Sequence, residues 1–425
     1  MMMMMIQIVF VLLCCVLTFT VVCVSGSVTL MPSSDIAGLE FLWNNTNGSS
    51  WRWQNGIGAA PRWSFPVYSG NSPCDQSSPG VWQGLNCSCV YNGTDYFCNV
   101  VGISLHAYDL NGQVPTELQM ISNLKGLDLS LNHLRGTDLA FLCGLDMLER
   151  ADFQQSRLIG SLPTCISDAS SLVTLQLSYT DITGTLPSEL GALSALAMLD
   201  IKYSARLTGS LPTSLCQLGL LTKLDTGGCI MVGSIPPCIG QLTSLIHLSV
   251  YQNRMTGSLP SEFGQLAETL THLSVWENLF TGSLPTEICQ LSLLEILYVG
   301  SNKFTGLVPV GLEKLLHLET LSLDNNLFVG PVPPSLTALP LMSILTLNHN
   351  SFSGPLPPLY SESLVLLYMQ ANELTGTIPE EVGNSSKMQD LLLHGNFLHG
   401  TIPETIGSLS NLIYMDFSTN SLTGE

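Results

Sequence analysis

The sequence predicts a solenoid, and three observations predict it. The first is a period. The glycine of an x-x-G-x-x-P phrase stands at Gly112, Gly136, Gly160, Gly184, Gly209, Gly233, Gly257, Gly282, Gly306, Gly330, Gly354, Gly376, Gly400 and Gly424, in steps of 22 to 25 residues; a step this regular belongs to stacked coils. The second is the spacing inside each unit. In LTSLIHLSVYQNRMTGSLP, Leu242 to Pro260, apolar residues hold positions 242, 245, 248, 250, 255 and 259. The period of two around Leu248 and Val250 is that of a short strand, whose other side chains, His247, Ser249 and Tyr251, are expected to face solvent. The third is an asparagine between strand and glycine, at Asn132, Asn253, Asn278, Asn302, Asn326, Asn350, Asn372, Asn396 and Asn420. From there it can donate to a carbonyl of the next coil and satisfy turn backbone that would otherwise be buried unpaired. Ser156, Thr180, Ala205 and Cys229 take that place in four units, and Tyr108 in the first.

The elements follow in chain order. Residues 1–26 open on five methionines and an uncharged apolar run from Ile6 to Val24, which reads as a secretory signal ending near Val24-Ser25-Gly26. The run lacks a basic flank and is long enough to span a bilayer, so an uncleaved anchor is the second reading. Both export the rest of the chain. Asn-x-Ser/Thr sequons at Asn44, Asn47, Asn86, Asn92 and Asn384 suit a secreted or cell-surface protein. Residues 27–99 form a segment ahead of the coils, and residues 100–425 hold about 14 units of roughly 24 residues.

The unit L-x-x-L-x-x-L-x-L-x-x-N-x-L-T-G-x-I-P resembles the plant-type leucine-rich repeat, over about three quarters of the chain. The resemblance implies an α/β solenoid: a right-handed superhelix with a parallel concave sheet, a second small sheet at the T-G-x-I-P phrase, and short 3₁₀ or helical convex turns. DIAGLEFLWNNTNGSSWRW, Asp35 to Trp53, resembles the helix that opens the N-terminal cap of such proteins, and PCDQSSPGVWQGLNCSC, Pro73 to Cys89, resembles the cap signature. The T-N-G-x-x-W wording is shared with microbial and algal repeat proteins. Between the two, QNGIGAAPRWSFPVYSG is an insertion in a Trp-rich region. The final FSTNSLTGE, Phe417 to Glu425, reads as an unfinished repeat without a C-terminal cap, leaving Leu412, Met415, Phe417 and Leu422 facing water. The expectation is a truncated version of a longer protein.

Cys74, Cys87, Cys89 and Cys98 lie in the cap. In an exported chain disulfides are expected rather than a zinc site, pairing Cys74 with Cys87 and Cys89 with Cys98. Cys143 and Cys165 are 22 apart, as are Cys216 and Cys238, in matching places of adjacent units. Coils about 5 Å apart put each pair within disulfide reach on the outer side. Cys229 and Cys289 then lack an evident partner, and one is expected to pair outside the chain.

Composition excludes whole classes of function. There are 13 Lys and Arg against 32 Asp and Glu, a net charge of −19, and no arginine follows Arg254, so neither nucleic acid nor an anionic membrane surface is an expected partner. No H-E-x-x-H, G-x-S-x-G, P-loop or kinase phrase occurs; the chain is not expected to be an enzyme or to need a cofactor or metal, although a kinase domain could follow in a longer product. The solvent side of the inner strands is the expected binding face. Asp128, Asp152, Asp200 and Asp225 form an acidic stripe in the central strand column, which continues through Tyr298. Tyr203, Tyr251 and Trp276 stand further along, with Tyr179 and Glu277 one place beyond. His247 and His272 stack in neighbouring coils, as a solvated or ligand-contacting pair rather than a metal site. Trp276 is the one tryptophan outside the cap, a typical anchor for a partner or a sugar ring. The sequons, four in the cap and Asn384 on an outer turn, are expected to leave the inner sheet unobstructed.

The expected function is therefore recognition of a protein, peptide or carbohydrate on the concave face, with a co-receptor as a further partner. The resemblance implies the ectodomain of a membrane receptor or receptor-like kinase. The alternatives are a secreted inhibitor of a cell-wall-degrading enzyme, similar to polygalacturonase inhibitors, and an ice-binding or structural wall protein built on hydroxyl columns such as Thr256, Thr281 and Thr305.

Overall fold

The computed structural model describes residues 19–24, 27–53, 62–63, 73–74, 81–136, 139–358 and 360–424. The stretch expected to be a signal lies mostly outside them, as do most of the insertion after Trp53 and residues 75–80. The chain divides into two compact units, Met1–Leu207 and Thr208–Glu425.

The first unit opens with strand Phe19–Val24 paired antiparallel to Ser27–Pro32, then helix α1, Ser33–Asn45. The helix buries Leu39 and Leu42, and a Trp cluster packs beyond its end: Trp51 lies 5.2 Å from Trp43 and 5.0 Å from Trp63 between ring centroids. Trp63 donates its ring N–H to the Gln83 carbonyl. An antiparallel pair, Leu85–Tyr91 with Tyr96–Ser104, carries the cap into the repeats, and disulfides close Cys74–Cys87 and Cys89–Cys98. Parallel strands then follow at Gly126–Asp128, Arg150–Asp152, Thr174–Gln176 and Met198–Asp200, in the register Gly102, Gly126, Arg150, Thr174, Met198. Their central residues Leu127, Ala151, Leu175 and Leu199 point into the core. The opposite side is built of 3₁₀ turns such as Thr164–Asp168 and Ser188–Ala192, where Cys143–Cys165 forms a disulfide.

The second unit repeats the plan in parallel three-residue strands from Lys223–Asp225 to Tyr414–Asp416. Short strands after the turn form a second, seven-stranded sheet running from Thr281–Gly282 to Ser421–Leu422. Leu248, Leu273, Leu297 and Leu321 stack in the core with essentially no exposure; burying each is worth about 2 kcal/mol. Beneath the second sheet Phe280, Phe304, Phe328 and Phe352 form a stacked column, with centroid spacings of 6.2, 6.3 and 6.1 Å. Cys216–Cys238 closes two outer 3₁₀ turns.

The turn chemistry refines the sequence reading in two ways. Asn253 donates from Nδ2 to the carbonyls of Thr226, Val250 and Tyr251, and its Oδ1 accepts the Met231 N–H. The asparagine therefore reaches the preceding coil, not the next, because its side chain leans back over the turn already made. In the first unit Ser204, rather than Ala205, takes this place: its hydroxyl donates to Leu177 O and meets the Thr180 hydroxyl at 3.0 Å. The residue just before the place adopts a left-handed backbone in coil after coil, at Tyr179 and Tyr203 with φ of 56° each. That column locates the place better than counting back from the glycine, because the 25-residue step from Gly184 to Gly209 carries its extra residue between Ser204 and Gly209. At Gly257 φ is +85°, a left-handed backbone that favours glycine, and an added Cβ would lie a tight 3.2 Å from the Ser234 Cβ.

Candidate functional site

In the first unit the residues before and after each central leucine line the exposed side of the sheet. Gly102 and Gly126 are neighbours in one column, and Ser104, Asp128, Asp152 and Gln176 follow one another in the next. Two adjacent glycines remove two side chains from the column and leave a cavity of about 460 Å³. Asn86, Arg150 and Thr174 line it along the glycine column, and Asp128, Asp152 and Gln176 along the next. An added Cβ at Gly126 would sit 3.7 Å from the Arg150 Nη2.

The carboxylates are held, not loose. Asp128 accepts the Ser104 hydroxyl at 3.2 Å and the Ser130 hydroxyl at 2.6 Å, and the Ser130 hydroxyl contacts His106 Nδ1 at 2.7 Å. Asp152 accepts the Gln154 backbone N–H and side-chain amide, and that amide also reaches Gln176. Burial pushes the Asp152 carboxyl above the usual range and the neighbouring Asp128 charge adds to the rise, while the Gln154 N–H opposes it. Two fixed carboxylates beside an exposed guanidinium form a polar, dipolar trough suited to a ligand that carries a cation and hydrogen-bonding groups.

The expected acidic stripe is shorter than the sequence suggests. Asp200 and Asp225 are 4% and 3% exposed, so neither presents a free carboxylate. Asp200 accepts the Ser178 hydroxyl and lies 3.6 Å from Lys202 Nζ. Asp225 accepts the Gly227 N–H and lies 3.9 Å from His247 Nε2. Ser249, expected in solvent, is likewise buried. Neighbouring coils pair strand to strand, so each carboxylate is covered by groups of its own coil and of the adjacent one: Lys202 and Ser178 at Asp200, Gly227 and His247 at Asp225.

The second unit carries an aromatic patch. The His247 and His272 rings lie with centroids 5.5 Å apart and planes tilted by 33°, and His272 Nδ1 meets the Thr271 hydroxyl at 2.6 Å. The Tyr251 ring covers Gly227, where an added Cβ would meet it at 2.1 Å. Trp276 and Tyr298 are half-buried and Glu277 is exposed, accepting the Gln252 amide at 2.9 Å. In the first unit Tyr179 and Tyr203 stack on the turn with centroids 4.7 Å apart, 48% and 37% exposed.

The sequence reading missed Arg150, Ser104 and the glycine floor, because a missing side chain gives no motif. It also placed every sequon away from the inner sheet. Asn86 is instead on the cavity wall, opposite Gly102 in the strand pair. Of the two remaining cysteines, Cys229 is buried with its thiol toward the Gly227 carbonyl, which closes it to intermolecular pairing, and Cys289 is half-buried on an outer turn, where burial raises its thiol pKa. Among the described residues no group of three or more His, Cys, Asp or Glu side chains is arranged to hold a metal, and no helix is long and apolar enough to cross a membrane.

Comparison with known proteins agrees with the architecture. The family described as Leucine Rich Repeat matches residues 171–193, 244–266 and 317–339. Receptor-like protein 32 of Arabidopsis thaliana is 32% identical over 124 residues, 28% of this chain and 14% of that protein. Among solved structures, a plant peptide hormone receptor, RGFR1 in complex with RGF2, superposes with a TM-score of 0.72 at 30% identity, covering 75% of this chain and 51% of that one. The Arabidopsis receptor kinase HAESA, in complex with the peptide hormone IDA and the co-receptor SERK1, gives 0.70 at 29%, covering 82% and 62%. A Leptospira interrogans leucine-rich-repeat protein gives 0.59 at 27%, covering 76% and 85%. The chain thus spans about half of the first receptor structure and a small part of the curated relative.

Proposed function

We propose, from the premise that this chain is a plant-type leucine-rich-repeat extracellular domain built for ligand binding, that it is the recognition part of a longer cell-surface receptor and takes an extended peptide on its concave face. The observation that carries the reading is the cavity over Gly102 and Gly126, with Asp128 and Asp152 fixed beside Arg150. It suits a peptide with a basic side chain or a free ammonium group. Similarity to receptors solved with peptide hormones, one of them with a co-receptor, supports the ligand class and a co-receptor as second partner. Tyr251, Trp276, Glu277 and Tyr298 are proposed contacts on the second unit. The chemistry is binding, with no catalytic step.

The test is binding of the glycan-trimmed chain to an array of synthetic peptides with and without arginine or lysine, followed by titration of the best binder. Replacing both carboxylates, Asp128→Asn with Asp152→Asn, is expected to weaken it about tenfold at low salt and less at high salt, since a desolvated ion pair is worth about 1–3 kcal/mol. Equal affinity in the double variant, or selection of peptides without regard to basic residues, sinks this assignment. Inhibition of a polygalacturonase by the same preparation would favour the secreted-inhibitor reading instead.

A further inference from the structure

We propose that an N-linked glycan on Asn86 lies along the cavity over Gly102 and Gly126, so that glycosylation of this one asparagine sets access to Asp128 and Asp152. The argument begins with position. Asn86 pairs with Gly102 across the antiparallel strands, and the same column runs on through Gly126 to Arg150. An added Cβ at Gly102 would lie 3.0 Å from the Asn86 Cβ and 3.8 Å from its Nδ2, the atom that carries the sugar. The nitrogen is therefore beside the glycine floor, and the first sugar attached to it starts at the cavity wall.

The cavity also has the chemistry for a sugar. Its floor is glycine backbone, with no side chain at two successive positions, so a pyranose can lie against it. Its sides offer acceptors at Asp128 and Asp152 and donors at Arg150, which match ring hydroxyls and an acetamido group. The sequon is complete and reachable: Asn86 and Ser88 are both exposed, in Asn86-Cys87-Ser88. Asn92 lies elsewhere, in the turn between Leu85–Tyr91 and Tyr96–Ser104 and away from the cavity lining.

The experiment uses the full chain from eukaryotic secretory cells. Site occupancy at Asn86 is read by peptide mass spectrometry, and Asp128 and Asp152 are labelled with a carbodiimide and glycine ethyl ester. Asn86→Gln and Ser88→Ala each remove the glycan, the second while keeping the asparagine, so agreement between them separates glycan loss from a local folding change. Both are expected to speed labelling of the two carboxylates several-fold, with carboxylates on the second unit unchanged; Asn92→Gln is expected to change nothing. An unoccupied Asn86, or equal labelling with and without its glycan, overturns the proposal. No ligand enters the measurement, so its outcome is independent of the peptide assignment.

Discussion

Asn278 shows how much one side chain can do in a coil. Its Oδ1 accepts the Met255 N–H at 3.0 Å, and its Nδ2 donates to the carbonyls of Val250, Val275 and Trp276 at 2.9, 3.2 and 3.3 Å. The Val250, Val275 and Trp276 carbonyls keep second donors in Asn253, Asn302 and Gln252, so Asn278→Ala leaves the buried Met255 N–H unpaired, at a cost of about 1–3 kcal/mol. Local hydrogen exchange in the coils around residues 250–280 is expected to accelerate accordingly, and unchanged exchange there would contradict the role. Asp35 acts in the other direction. It is fully buried in α1, accepts the Val100 N–H at 2.9 Å, and burial pushes its carboxyl up to about 6 from 3.8 against the pull of that hydrogen bond. The folded chain then binds more protons than the unfolded one between roughly pH 4 and 6, so stability falls as pH rises through that window, by at most about 3 kcal/mol. Asp35→Asn should flatten this slope in urea melts followed by the Trp fluorescence of the cap; a slope that persists assigns it to other groups.

Elements of this fold are held mainly by their neighbours, as the solenoid plan requires. The column Phe280, Phe304, Phe328 and Phe352 stacks with interplanar angles of 8° to 14°, so Phe304 is packed on both sides. Phe304→Ala opens a cavity between two coils, and a loss of about 3–5 kcal/mol is expected in chemical unfolding. The outer disulfide Cys216–Cys238 closes a separation of 22 residues; replacing both cysteines by serine should cost about 2–4 kcal/mol. Because contacts run from coil to coil, the faster exchange should centre on Lys223–Asp225 and His247–Ser249 and leave Leu366–Tyr368 unchanged. Equal acceleration in all three strands would mean that the second unit unfolds as one block.

At the scale of the whole molecule, a charge of −19 disfavours nucleic acid and anionic membrane surfaces as partners. The two units offer different surfaces: a polar cavity with Asp128, Asp152 and Arg150 in the first, and the half-buried Tyr251, Trp276 and Tyr298 in the second. Aromatic anchors commonly contribute 2 kcal/mol or more, so Trp276→Ala should weaken a bound peptide by about thirtyfold. Unchanged affinity in a folded variant would leave the first unit as the contact surface.

Sequence alone determined the period, the core columns, the turn glycines and the spacing of cysteines that fall together on the outer side. Each of these is a local rule repeated about every 24 residues, and repetition makes it readable. Tertiary structure decided which residues of the exposed face are free. Asp128 and Asp200 hold equivalent places in their units, yet one lines a cavity and the other is 4% exposed. The difference comes from neighbours in the same coil and in the coil before it: Lys202 and Ser178 crowd Asp200, while Gly126 and Gly102 leave space beside Asp128. Asn86 is the same case, since its sequon is visible in the sequence but the strand pairing that aims it into that space is a long-range contact. Periodicity encodes the face a residue occupies; packing against the adjacent coil decides what that residue can reach.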